Sequence, residues 1–133
     1  MRQFLSAFFL DDGLRGPRFV CAVALFAIIV VLGSIPGARS EVGNLASGVV
    51  LHSVAYSVIT ILLYTGTDGT RGYRFVRTVL TVAAMGALDE MVQTLLPYRR
   101  GAVLDWLIDC AASLATGSML YWFLPQRTAP GRG

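Results

Sequence analysis

Four apolar runs, each near the length that crosses a bilayer, leave this chain few folds to choose from. They extend from Phe19 to Ile35, Leu45 to Tyr64, Phe75 to Leu96 and about Val103 to Leu124. Within hydrocarbon each backbone N–H and C=O must find its partner inside the protein, so runs of about 17–25 residues become helices. Only 14% of the residues are charged and 55% are hydrophobic, whereas a soluble domain carries roughly 25% charged residues. The sequence therefore predicts an all-α polytopic membrane protein. Its expected form is a bundle of four transmembrane helices, one domain over residues 1–133, with a short amphipathic N-terminal lead.

That lead, Met1 to Arg18, places Phe4, Leu5, Phe8 and Phe9 on one side, and Asp11, Asp12, Gly13 and Gly16-Pro17 are expected to break it before the membrane. Its two aspartates and the length of the following run argue against a cleaved signal peptide. Pro36-Gly37 closes the first run, Pro125 closes the fourth, and the tail beyond is rich in Pro, Gly and Arg. The net charge of +3 comes from arginine, since the chain has no lysine. These arginines sit at the ends of apolar segments rather than on a polar face, which excludes a nucleic-acid binder and fits the membrane pattern. Arg2, Arg15, Arg18, Arg71, Arg74, Arg77, Arg127 and Arg132 fall on one side of the expected bundle, against Arg39, Arg99 and Arg100 on the other. The positive-inside rule then puts both termini in the cytoplasm. Cys21 and Cys110 read as two buried small hydrophobes, with neither a disulfide nor a metal motif indicated.

Against this apolar background the stretch from Gly86 to Asp109, GALDEMVQTLLPYRRGAVLDWLID, is anomalous. An ionisable group at the centre of a spanning helix costs roughly 2.5–3.5 kcal/mol on insertion scales, so such residues mark site candidates. Asp89, Glu90 and Gln93 lie near the end of the third run, Pro97 to Gly101 make a tight connection, and Asp105 and Asp109 open the fourth. The second run adds His52 and Tyr56, four apart and so on one face, beside Ser53, Ser57 and Thr60. Depth brings these residues together. At 1.5 Å per residue His52 lies roughly 10 Å and Glu90 roughly 9 Å below the outer surface, with Asp105 and Asp109 within about two turns of it. His52, Asp89, Glu90, Gln93, Asp105 and Asp109 are thus expected in one outer-leaflet layer beneath Arg99 and Arg100. Asp105, Asp109, Ala112, Ser113 and Thr116 form a small, polar stripe suited to close helix packing. Trp106, Tyr121 and Trp122, with Tyr98, read as interfacial anchors.

In order along the chain, His52-x-x-x-Tyr56, Asp89-Glu90-x-x-Gln93, Pro97-x-Arg99 and Asp105-x-x-x-Asp109 resemble the pattern of the VanZ-like membrane proteins: His, Glu-x-x-Gln, Pro-Gly-Arg and Asp-x-x-x-Asn. The likeness covers about Leu51 to Gly117. His52, Glu90, Gln93, Arg99 and Asp105 stand at motif positions, while Asp109 replaces the usual asparagine, Tyr98 the usual glycine, and Ala112 a glycine expected within the last helix. The resemblance implies a multi-pass protein of a bacterial-type plasma membrane. It also implies a link to resistance against teicoplanin, a glycopeptide antibiotic acting at the cell envelope. It supplies a compartment and a process rather than a reaction.

Three kinds of function fit these residues. In the first, Arg99 and Arg100 grip the phosphate of an anionic envelope lipid, and Tyr56, Gln93 and Asp109 complete the binding site. His52, Glu90 and Asp105 then serve as acid and base, with His52 oriented by Glu90 or Asp105. Asp89, Glu90, Asp105 and Asp109 would offer oxygen ligands to a divalent cation, magnesium or calcium. In the second, a small homo-oligomeric proton-coupled transporter uses the carboxylates as proton carriers. In the third, a non-catalytic interaction protein shields an envelope precursor. A purely architectural ion-pair network is the alternative to all three.

Overall fold

The computed structural model describes residues 9, 11–37, 47–98 and 101–125. A 3-10 turn over Asp12–Leu14 leads into α1 (Arg15–Gly33), followed by α2 (Gly48–Gly66), α3 (Arg71–Thr94) and α4 (Val103–Phe123), with no strand among the described residues. Most of the expected N-terminal lead, and the tail from residue 126, lie outside the described residues.

Local chemistry explains where these helices begin. Ser47 and Thr70 are N-caps whose hydroxyls accept the N–H of the third helical residue, Val50 and Tyr73, at 3.4 and 3.3 Å. Such a cap satisfies one of the four N–H groups that a helix start leaves without a partner. Thr70 therefore starts α3 a full turn before Phe75, the start expected from apolarity, and Arg71 and Arg74 become helical. The first helix likewise starts at Arg15 and takes in Gly16 and Pro17. Proline is tolerated in a first helical turn because its missing N–H has no acceptor to lose there. Gly69, at φ +109°, turns the chain between α2 and α3 in a conformation that a side chain disfavours.

The helix α4 packs along both α2 and α3, while α1 lies mainly against α2. Close approach depends on glycine at three crossings. A Cβ on Gly66 would stand 3.0 Å from the Phe19 nitrogen of α1, one on Gly117 3.2 Å from the Phe75 ring, and one on Gly86 3.0 Å from Asp109. A small apolar core of Ala22, Tyr56, Ile59, Leu63 and Val82 sits among the helices.

Around that core the usual distribution is inverted. Arg74, Thr78, Asp89, Asp109 and Ser113 are buried, while Val20, Ile28, Leu80, Met91 and Leu104 are exposed. Buried positions on α4, namely Asp105, Asp109, Ser113 and Gly117, recur every four residues and form one inward row, much of it the small, polar stripe read from the sequence. Asp12–Gly33, Gly48–Gly66 and Val103–Phe123 are long and apolar enough to cross a membrane. The fourth expected span, α3, is not among them by composition, since it carries Arg71, Arg74, Arg77, Asp89 and Glu90. Cys21 is exposed rather than buried, because its face of α1 turns away from α2, and Cys110 is half-buried; both are free thiols.

Two of the arginines have work inside the protein. Arg74 donates from Nε to the Tyr64 carbonyl at 2.9 Å, with its guanidinium carbon 4.3 Å from the centre of the Tyr64 ring. Arg18 donates to the Thr65 carbonyl at 3.5 Å and to the Asp11 carbonyl at 3.1 Å. Both thus reach carbonyls of the last turn of α2, which lack helical partners and form the negative end of its dipole. Arg15 pairs with Asp12 at 2.6 Å and Asp68 at 2.8 Å, joining the start of α1 to the loop after α2. Arg74→Ala should lower the free energy of unfolding by about 1.5–3 kcal/mol, the usual worth of a hydrogen bond from a charged donor. Arg74→Lys should restore only part, having neither the planar stack nor the Nε donor. Denaturant unfolding in detergent micelles measures both, and an alanine variant as stable as the wild type would refute this capping role.

Candidate functional site

The polar layer is assembled from the beginnings of α2 and α4 and the end of α3. His52 is the fifth residue of α2, Asp105 and Asp109 are the third and seventh of α4, and Glu90 is five positions from the end of α3, counting Thr94 as the first. Starting at Gly48 rather than Leu45, α2 carries His52 about 6 Å from its first residue, nearer the helix start than the sequence suggests.

The His52 Nδ1 atom lies 2.9 Å from Asp109 Oδ1, and Nε2 lies 3.9 Å from Asp105 Oδ2. The expected orienting partner, Glu90 or Asp105, is therefore replaced by Asp109. Glu90 is engaged elsewhere: its Oε2 accepts the N–H of Ala102, the N-cap residue of α4. The negative charge sits where the helix dipole is positive and where the first N–H groups need acceptors. Glu90 thus supplies from α3 the cap that Ala102 cannot supply itself. Gly101 makes this contact feasible, since a Cβ there would stand 2.8 Å from the Glu90 carbonyl oxygen.

With a carboxylate on Nδ1, the imidazole is fixed as a donor on that side, and Nε2 is left facing Asp105 to accept or release a proton. That is the division of labour of an oriented general acid–base group. The Tyr56 ring lies parallel to His52, 6.0 Å between centroids and 3° between planes. The Tyr56 hydroxyl stands beside Asp89. Gln93 is buried on the same side of α3. His52 and Asp105 keep 14% and 12% of their side-chain surface accessible, whereas Asp109 keeps none.

Several buried polar atoms without partners lie in this layer, and others, on Tyr64, Arg71 and Thr78, lie away from it. Asp89 Oδ1, Glu90 Oε1 and Asp109 Oδ2 receive no hydrogen bond from the described residues, and neither do the Tyr56 and Ser113 hydroxyls. Nevertheless, among those residues no group of three or more His, Cys, Asp and Glu side chains is arranged to hold a metal ion. The four carboxylates expected as oxygen ligands, Asp89, Glu90, Asp105 and Asp109, are not gathered in that way, and one oxygen each of Asp109 and Glu90 is spent on His52 and on the α4 amide. Arg99 and Arg100, expected as the rim above the layer, lie outside the described residues.

Two aromatic residues expected as interfacial anchors are tied to backbone. Trp106 donates from its indole nitrogen to the Ala83 carbonyl of α3 at 2.9 Å, and the Tyr98 hydroxyl donates to the Ser34 carbonyl after α1. Nothing local in the sequence signals either bond. Thr116 donates to Ser57 at 3.0 Å, a pairing of two polar stripes that helical spacing does suggest. Tyr121 and Trp122 line, with Phe75 and Ser118, a shallow apolar cleft remote from the His52 layer. Searches of family models, curated proteins and solved structures found no match to this chain.

The cap on α4 separates two roles for Glu90. Glutamine keeps a side-chain oxygen able to accept the Ala102 N–H, whereas alanine leaves a part-buried donor unsatisfied at about 1–3 kcal/mol. Glu90→Gln should unfold within about 0.5 kcal/mol of the wild type, and Glu90→Ala should lose the larger amount. Equal losses in the same unfolding assay would show that the carboxylate charge, not the acceptor, holds α4.

Proposed function

We propose that this chain is a membrane protein of four spans, with an acid–base and binding site for the headgroup of an envelope lipid in the outer leaflet. The observation that carries this reading is the His52–Asp109 pair set beside buried, partnerless carboxylate oxygens in a protein whose exposed faces are apolar. Three helices have the length and composition to cross. The case for α3 as a further span is its geometry: 24 residues reach about 36 Å, enough for the hydrocarbon core. Its outward residues Val76, Leu80, Leu88, Met91 and Leu95 are apolar, while Arg74, Asp89 and Glu90 are buried. Averaging over both faces is what makes it look polar.

The arginine distribution supports cytoplasmic termini, and it does so without the two arginines that cap α2. Arg2, Arg15, Arg71, Arg77, Arg127 and Arg132 remain on the proposed inner side against Arg39, Arg99 and Arg100. The VanZ-like resemblance is consistent with a bacterial-type plasma membrane, and it favours a role in the response to teicoplanin. An impermeant thiol reagent tests the orientation in a chain freed of Cys21 and Cys110. Ser40→Cys should label from outside and Thr70→Cys should not; the reverse would turn the His52 layer toward the cytoplasm and end the envelope reading.

Arg99 and Arg100 follow Tyr98 and precede Gly101, which packs on Glu90, so in sequence they border the acid layer. On this reading they hold the lipid phosphate while His52 exchanges a proton with the bound headgroup. One charge-assisted contact is worth about 1.5–3 kcal/mol, so Arg99→Ala should weaken retention of a phosphate-bearing lipid by roughly 10–100-fold. Arg99→Lys should recover part of it. Native mass spectrometry of purified protein reads both, and equal retention by all three proteins would remove the lipid reading. The same partnerless carboxylates favour one second reading, a small oligomeric proton-coupled transporter, for which proton-gradient-dependent uptake into proteoliposomes is the discriminating result.

A further inference from the structure

The end of the bundle away from His52 is built from the opposite charge. Among the described residues it carries Arg15, Arg18, Arg71, Arg74 and Arg77 against Asp11, Asp12 and Asp68. Four of these arginines are engaged within the protein. Arg15 holds Asp12 and Asp68, Arg18 and Arg74 hold the end of α2, and Arg77 lies over the Tyr73 ring at 5.9 Å. Arg71 differs from them. It opens α3, and its Nε is buried with no hydrogen-bond partner among the described residues. The hydroxyl of Tyr64, a residue 0% exposed, is likewise without a partner. It lies within electrostatic reach of Arg74, Arg71 and Tyr121. Buried polar groups are ordinarily satisfied, so two donors left over at one cationic end mark a place where an acceptor is taken up.

An apolar cleft opens beside this cluster. The Arg74 guanidinium carbon is 4.3 Å from the centre of the Tyr64 ring, and the next residue, Phe75, meets the Tyr121 ring of α4 edge-on at 6.1 Å. Tyr121 thus belongs both to the cluster and to the cleft that it lines with Phe75, Ser118 and Trp122, a hollow of about 160 Å³. On α3, Arg71, Gly72 and Phe75 fall within an arc of about 100°, with Phe75 about 6 Å deeper along the axis than Arg71. A Cβ on Gly72 would meet nothing within 4 Å, so the first turn of α3 is open to approach, and the helix dipole favours an anion there. The order along α3 is a cationic end followed, one turn in, by an apolar hollow the size of several methylene groups.

We propose that Arg71 and the cleft of Phe75, Ser118, Tyr121 and Trp122 together hold one anionic phospholipid, its phosphate on Arg71 and part of an acyl chain in the cleft. The lipid belongs to the leaflet in which α3 begins. This is a second site at the opposite end from the His52 layer; it rests on the membrane reading above and not on the headgroup reading of that layer. A guanidinium offers phosphate a forked, charge-assisted contact. The excess of arginine over aspartate at this end selects a net-negative headgroup, since the ammonium of a phosphatidylcholine would be brought up against like charge.

Trp122 lines the cleft, whereas Trp106, the other tryptophan of the chain, is tied to Ala83 near the start of α4, so Trp122 reports on this site. The test is fluorescence quenching of the full chain in phosphatidylcholine vesicles that contain a minor fraction of lipid brominated on its acyl chains. That lipid is either phosphatidylglycerol or phosphatidylcholine. In the Trp106→Phe chain, brominated phosphatidylglycerol should quench Trp122 as though enriched about fivefold over its bulk share, which is what one arginine near an anionic lipid surface is worth. Brominated phosphatidylcholine should quench only in proportion to its share. Arg71→Ala should abolish the enrichment, and Arg71→Lys should keep part of it. Ser118→Leu, which fills the cleft without changing charge, should lower it as well. The wild-type chain should show the same preference between the two lipids, so the comparison needs no variant to fold. Equal quenching by the two brominated lipids would overturn the site and leave the membrane reading standing. Quenching by neither would overturn both.

Discussion

Helix ends are the constraint on which this molecule depends. Where they are buried, the first N–H groups and last carbonyls of a helix have no water to turn to, and each one left bare costs about 1–3 kcal/mol. Here α3 answers that need at both of its ends. Near its start Arg74 meets a terminal carbonyl of α2, and near its finish Glu90 meets the amide that opens α4. The charges that make α3 the least apolar of the helices are therefore what joins its neighbours to it. Arg18 of α1 adds a second donor at the end of α2. Each charge has the sign that the helix dipole favours at that end.

This division explains which parts of the fold were legible in the sequence. Helix number, and the gathering of His52, Glu90 and Asp105 at one level, follow from run length and a constant rise per residue. The row Asp105, Asp109 and Ser113 follows from helical spacing. Helix starts were less legible, because apolarity points to Phe75 whereas the Thr70 hydroxyl sets the start at Arg71. Pairings across helices were least legible. Whether His52 meets Asp105 or Asp109 depends on the relative rotation and shift of α2 and α4, which no spacing within either helix encodes. The bonds from Arg74 to Tyr64 and from Trp106 to Ala83 are hidden for the same reason: an arginine near a membrane boundary, or a tryptophan near a helix start, has an ordinary interfacial explanation.

Glycine and the carboxylate row act together at the site. Gly86 lets α3 approach α4 so closely that a Cβ would press on Asp109 and on the Trp106 ring, 3.0 and 3.1 Å away. That approach seals Asp109 from solvent and leaves one of its oxygens for His52. A side chain at this crossing would have to displace the aspartate or the indole, and overpacking a tight interior typically costs about 1–3 kcal/mol. Stability and site geometry are thus coupled through the same crossing.

Asp109 is also where the identity of a single side chain matters most to the site. An asparagine in that position can accept the His52 Nδ1 proton through its amide oxygen, so the orientation of the ring does not require an acid. A carboxylate adds a charge 2.9 Å from the ring. With asparagine, the ring's electrostatic support would come mainly from Asp105, a full ångström farther at 3.9 Å. Aspartate therefore changes the charge beside His52 more than the place where the ring sits. The same charge raises the demand for a positive partner in the layer, because Asp109 Oδ2 remains buried without a donor. The hydrogen bond that orients His52 and one of the unmet acceptors beside it are consequently the two oxygens of a single residue.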